Sequence, residues 1–116
     1  MTAKEFIEDT IKFYSEDPSR RASVNSHCYY KEPMTGNRCA VGRCLVPDTP
    51  ADAFNGGVGD MLIRFGSGVL QEQYRELPQA VLRACQVWHD TDLHFTSTGL
   101  TELGQLRANT LIRKYS

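Results

Sequence analysis

Apolar positions along the chain change their period several times, and each change predicts an element. Phe6, Ile7, Thr10, Ile11 and Tyr14 recur at three- and four-residue steps, which lines one stripe of a helix. Thr2 and Glu5 form a Thr-x-x-Glu capping box at its start, and Asp17-Pro18 disfavours continuation, so the helix is predicted to end near Ser15. Ser19 to Ser23 is polar and reads as a connector in which Arg20 and Arg21 are solvated.

The residues 24–31 and 38–46 then show strand character, joined by a turn at 32–37 where Pro33 presets φ and Gly36 tolerates positive φ. On the first predicted strand Cys28 and Tyr30 share one face, with His27, Tyr29 and Lys31 on the other. On the second, Cys39, Val41 and Arg43 alternate with Ala40, Gly42 and Cys44.

Pro47 to Pro50 breaks the pattern, with Asp48 or Thr49 able to cap a short turn beginning at Pro50. The glycine-rich segment 54–60 reads as a flexible loop, and 61–65 fits a short strand or a helical turn equally. A helix is predicted over 69–76. Another opens at Pro78 with Leu77, Val81, Leu82, Cys85 and Trp88 on its apolar face, running through His89 to the break at Asp90-Thr-Asp92. Thr98 or Gly99 opens a last helix, whose stripe is Leu100, Leu103, Leu111, Ile112 and Tyr115. The expected fold is α+β: one domain over 1–116, with a small antiparallel sheet (a central β-hairpin) packed against three or four helices.

Composition narrows the function classes. The 116 residues carry 13 basic and 14 acidic side chains, a net charge of −1. A duplex-DNA binder usually carries a basic excess that neutralises phosphates, so duplex DNA is not the expected partner. Apolar runs are far shorter than the about 20 residues that cross a bilayer, so no membrane partner is expected either. Acids stand near the N-terminus where a signal peptide needs an apolar run, so the protein is expected in the cytoplasm, with its four cysteines mostly as thiols.

Two sets of residues form a recognisable pattern: Cys28-x-Tyr30 with Gly36-x-x-Cys39-Ala-Val-Gly42-x-x-Leu45-x-Pro47, and Gln86-x-x-His89-Asp90 downstream. Over about half of the chain they resemble a loose group of small proteins encoded by bacteriophages, prophages and plasmids. The glycine-rich 55–68 segment and the place of Cys44 after Arg43 depart from that pattern. The resemblance implies a context, a phage accessory protein in the bacterial host cytoplasm acting on a host or defence component.

Four constellations carry possible chemistry. Cys28, Cys39 and Cys44 lack the short paired spacings of a structural zinc site, so small buried thiols stand ahead of a zinc-stabilised module, and no cofactor or metal is expected. Cys39 with His89 and Asp90 offers a nucleophile and base for a thiol enzyme. Adjacent helix positions point about 100° apart, however, so Asp90 is expected to cap the following turn and His89 to bond a hairpin carbonyl. The 55–60 loop fits no nucleotide fingerprint. Tyr29, Tyr30, Lys31, Arg38 and Arg43 combine aromatic and cationic groups on one hairpin, a pairing that holds nucleotides or protein partners.

The functional expectation is a non-enzymatic accessory protein that binds a bacterial host or defence protein, or sequesters a small nucleotide signal, with a homo-oligomer compatible with either. Tyr30, Arg38, Arg43, His89 and Asp90 are the expected contacts. The arginines would meet carboxylates or phosphates, Tyr30 would stack, and the His-Asp step would offer hydrogen bonds. The rival is a small thiol-dependent enzyme using Cys39 and His89.

Overall fold

Helix α1 (Ala3–Glu16) begins where the capping box places it. In the computed structural model, which describes residues 1–24 and 27–115, Thr2 Oγ1 accepts the Glu5 N–H at 3.1 Å and Glu5 Oε1 accepts the Thr2 N–H at 2.9 Å. The helix buries Phe6, Ile7, Thr10 and Tyr14, and the Thr10 hydroxyl is satisfied by the Phe6 carbonyl at 2.8 Å. Three further helices follow: α2 (Val58–Phe65), α3 (Gln79–Asp90) and α4 (Glu102–Tyr115). Helix α3 is central, packing against α1, α2 and α4 through Val81, Leu82, Cys85, Trp88 and His89. The segment 61–65, ambiguous in sequence, is the body of α2, which ends where Gly66 adopts a φ of 78°.

A two-stranded antiparallel hairpin, β1 (Ser23–Val24) with β2 (His27–Cys28), completes an α+β fold. It sits earlier than expected, pairing Ser23 with Cys28 and Val24 with His27. Residues 25 and 26, part of the first expected strand, lie outside the described residues. The two strands predicted at 24–31 and 38–46 meet only at a single bridge, Lys31 to Arg38, which closes the 32–37 turn. There the Glu32 carboxylate takes the N–H groups of Met34 and Thr35 and the Thr35 hydroxyl, and Gly36 has the positive φ, 75°, that its sequence position implies.

The residues 39–44 do not continue as a strand. The Arg43 N–H returns to the Cys39 carbonyl at 3.0 Å, and Gly42–Cys44 is a 3-10 turn. Gly42 lies against the Tyr30 carbonyl so closely that a Cβ there would overlap the oxygen. The apolar alternation here serves a tight buried turn rather than a pleat. Beyond it the backbone pairs with a different segment: Leu45 bridges Leu70, Val46 donates to Val69 and Gln71 donates to Cys44, both at 2.8 Å. That pairing holds Leu70 extended between the 3-10 turns Ser67–Val69 and Glu72–Tyr74, which is why the helix predicted over 69–76 does not form.

The connector after α1 is also less solvated than its sequence suggests. Arg20 lies 4.6 Å from the Phe13 ring centroid, and the Arg21 side chain, 12% exposed, bonds the His89 carbonyl and Asp92. Thr49 caps the turn Pro50–Ala53 as expected. The last helix starts at Glu102, with Thr101 Oγ1 accepting the Gly104 N–H at 3.0 Å. Its fully buried positions are the small Gly104 and Ala108, while Leu103, Leu111, Ile112 and Tyr115 of the predicted stripe stay half-buried. No helix among the described residues is long and apolar enough to cross a membrane.

Candidate functional site

The two halves of the sequence pattern meet at the C-terminal end of α3. Gln86 Oε1 accepts the Val41 N–H at 2.9 Å, and Gln86 Nε2 donates to Asp90 Oδ1 at the same distance. Asp90 Oδ1 also lies 2.8 Å from His89 Nδ1. The other ring nitrogen, Nε2, faces the Ala22 N–H at 3.2 Å. Because that amide can only donate, Nε2 must accept, and the proton of the neutral ring resides on Nδ1, from which it is given to Asp90. Burial lowers the proton affinity of His89, and the Asp90 hydrogen bond offsets part of that effect.

This corrects the expectation for the His-Asp step. His89 bonds a backbone N–H rather than a hairpin carbonyl, and Asp90 does orient its neighbour's ring. Asp90 is the last residue of α3, so its side chain curls back across the helix end to where Gln86, one turn earlier, and His89 converge. Tyr14 packs edge-on against His89 with centroids 4.7 Å apart and donates its hydroxyl to the Arg38 carbonyl.

The expected contact residues separate into different surroundings. Tyr30 is 5% exposed, and its hydroxyl donates to the Gly56 carbonyl at 3.0 Å, so its ring offers no open face for stacking. Arg38 makes a two-pronged pair with Asp52, at 2.8 and 3.1 Å, and also donates to the Gly42 carbonyl. Arg43 pairs with Asp9 at 3.1 Å and lies 3.9 Å from the Phe13 ring centroid. His89 is fully buried, whereas Asp90 keeps about a third of its side chain exposed.

Open surface lies on both sides of the β2 arm. A cleft of about 420 Å³ runs between His27, Tyr29 and Lys31 on one wall and Asp52, Phe54 and Asn55 on the other. A smaller cavity of about 190 Å³ adjoins it, sharing Cys28, Tyr29, Phe54 and Asn55 and reaching Gly56, Gln86 and Asp90. The His27 and Tyr29 rings lie 4.4 Å apart, and Lys31 has no charged partner among the described residues. The sequence marks 54–60 as a flexible loop, and only the fold brings its Phe54 and Asn55 opposite the hairpin.

The thiols are poorly placed for nucleophilic work. Cys39 is wholly buried and its pKa is pushed up to about 12 by that burial, and Cys85 likewise to about 12. Cys44 is raised still further by the same cause. Cys28 is half-buried; burial first, and then the neighbouring Asp90 carboxylate, raise it as well. Both ring nitrogens of His89 are engaged by Ala22 and Asp90, so His89 is not free to serve Cys39 as a base. No cluster of three or more His, Cys, Asp or Glu side chains among the described residues is placed to hold a metal ion. No family model, curated protein or solved structure matches this chain.

Proposed function

We propose that this chain is a non-enzymatic binding protein, an accessory protein of the phage type its motifs resemble, which captures a bacterial host or defence component at the cleft beside β2. The observation that carries the reading is the unpaired Lys31 next to the His27–Tyr29 ring pair on the wall of the cleft. Stacking faces with an adjacent cation suit a planar, anionic molecule of nucleotide size, and about 420 Å³ falls within the range of small-ligand clefts. The buried Tyr30 and the half-buried Arg38 and Asp90 support the walls, holding Gly56, Asp52 and Gln86 in place.

A host protein on the same surface is a second reading, favoured by Met34, which stands 90% exposed near Lys31. One experiment addresses both. Tagged protein is passed through bacterial lysate and the bound proteins and small molecules are read by mass spectrometry, for the wild type, Tyr29→Ala and Lys31→Glu. Both substitutions lie on the cleft wall and should abolish capture of the specific component. Capture that survives both changes places the contact elsewhere and removes the reading.

A further inference from the structure

Residues of α3, α4 and the turn between them line a third cavity, about 650 Å³, that shares no lining residue with the cleft beside β2. Its apolar lining includes Ala84, Val87, Trp88 and Leu106, of which Val87 and Leu106 are 59% and 58% exposed. Arg83 and Arg107 also line it; among the described residues no carboxylate does, and neither arginine has a hydrogen-bond or ion-pair partner. Two unspent cations beside apolar surface favour an anionic head on an apolar body.

His94 supplies an independent observation. It lines the same cavity, is 1% exposed, and lies with Nδ1 2.8 Å from the Trp88 carbonyl. A carbonyl can only accept, so Nδ1 carries the proton and Nε2 presents a lone pair. That Nε2 has no hydrogen-bond partner among the described residues, an unusual state for a buried polar atom. Burial foremost lowers its proton affinity; the Trp88 hydrogen bond offsets part of that and Arg107 adds to it, so near neutral pH the lone pair stays unprotonated and needs a donor. A hydroxyl meets that need, whereas a carboxylate does not.

We propose that the α3–α4 cavity is a second ligand site, taking an amphipathic hydroxy acid whose aliphatic body lies on Trp88, Val87 and Leu106, whose carboxylate is drawn to Arg83 and Arg107, and whose hydroxyl donates to His94 Nε2. This site is independent of the cleft beside β2.

Trp88 is the chain's one tryptophan and lines the cavity, so its fluorescence reads occupancy directly. The probes are ω-hydroxydecanoate, decanoate and decanol, titrated into the wild type at about pH 8, where histidine is neutral. ω-Hydroxydecanoate should give a saturable change in Trp88 emission, with decanoate about tenfold weaker for lack of the hydroxyl donor and decanol weaker still for lack of charge. His94→Phe should erase the difference between the two acids, and Arg107→Gln should weaken both. If His94→Phe does not fold, the wild-type comparison of the two acids decides alone. Equal affinity for hydroxylated and plain acid overturns the proposal, as does an unchanged Trp88 signal. So does sedimentation showing a dimer that buries Trp88 and ignores the acid, which would assign this face to a second copy of the chain.

Discussion

Gln86 and Val41, 45 positions apart in sequence, are joined by a hydrogen bond of 2.9 Å from the Val41 amide to the Gln86 side chain. A buried turn at 39–44 therefore depends on a side chain of α3 for one of its backbone donors. Removing that acceptor strands a desolvated amide, which costs about 1–3 kcal/mol. Gln86→Ala should lower the unfolding free energy in urea by that amount, whereas Gln73→Ala, on the exposed surface, should change it by less than about 0.5 kcal/mol. Equal effects would show that the Val41 amide finds another partner.

Two glycines should tolerate alanine badly for a reason of contact rather than propensity. In mid-helix, glycine to alanine ordinarily stabilises by about 1 kcal/mol. At Gly104 the new Cβ meets the His94 carbonyl, and at Gly42 it meets the Tyr30 carbonyl. Both changes should destabilise by more than about 2 kcal/mol, while Gly57→Ala, where nothing lies within 4 Å, should be near neutral. Thermal melts of the three variants check this, and a stabilised Gly104→Ala protein would contradict the packing described.

Stability should fall on both sides of a neutral plateau. His89 is depressed below its ordinary 6.5 by burial, so the unfolded chain binds more protons and stability is lost as pH drops below about that value. Cys39 and Cys85 are raised from 9.0 to about 12, so here the folded state keeps the protons and stability is lost as pH climbs past about 9. Urea unfolding across this range should give the plateau. His89→Gln should flatten the acid limb, and an unflattened limb would assign it to other groups.

Thiol chemistry should distinguish one cysteine from three. Cys39, Cys44 and Cys85 are buried, and only Cys28 reaches the surface. A disulfide-exchange reagent at neutral pH should label Cys28 slowly in the native protein and the others only on unfolding. A fast-reacting Cys39 would revive the thiol-enzyme reading.

Arg38→Ala should cost about 1–3 kcal/mol, because the guanidinium ties Asp52 and the Gly42 carbonyl together in a partly buried setting. The loss should appear in stability before it appears in any binding assay. An unchanged denaturation midpoint would show the pair to be dispensable.

Elements written in local signals could be read from the sequence. The Thr2–Glu5 box, Pro78 before α3, the Thr49 cap and the apolar face ending in Trp88 each depend on neighbours within a few residues. Errors arose where a distant segment decided the outcome. Strand character at 38–46 was real in pattern, but Gly42 closing on Tyr30 and Leu45 pairing with Leu70 turned it into a clasp. The sequence pattern held Gln86, His89 and Asp90 as well as Cys39-Ala-Val-Gly42, and in the fold Gln86 bonds Val41 and Asp90 while Asp90 bonds His89. It did not separate spent from unspent groups: Arg43 is engaged by Asp9 and Phe13, whereas the half-buried Lys31 has no charged partner among the described residues. His94 gave no signal, since a histidine between Leu93 and Phe95 reads as ordinary core.

The Ala22 amide finds its acceptor on His89, 67 positions away, just as Arg21 reaches Asp92 across 71. The first third of the polypeptide therefore stays incomplete until α3 arrives to supply its missing acceptors. Such distant closures are slow to form, so the N-terminal helix and hairpin should wait for the later helices, and cutting the chain at the exposed 55–57 loop should yield two pieces that order only when mixed.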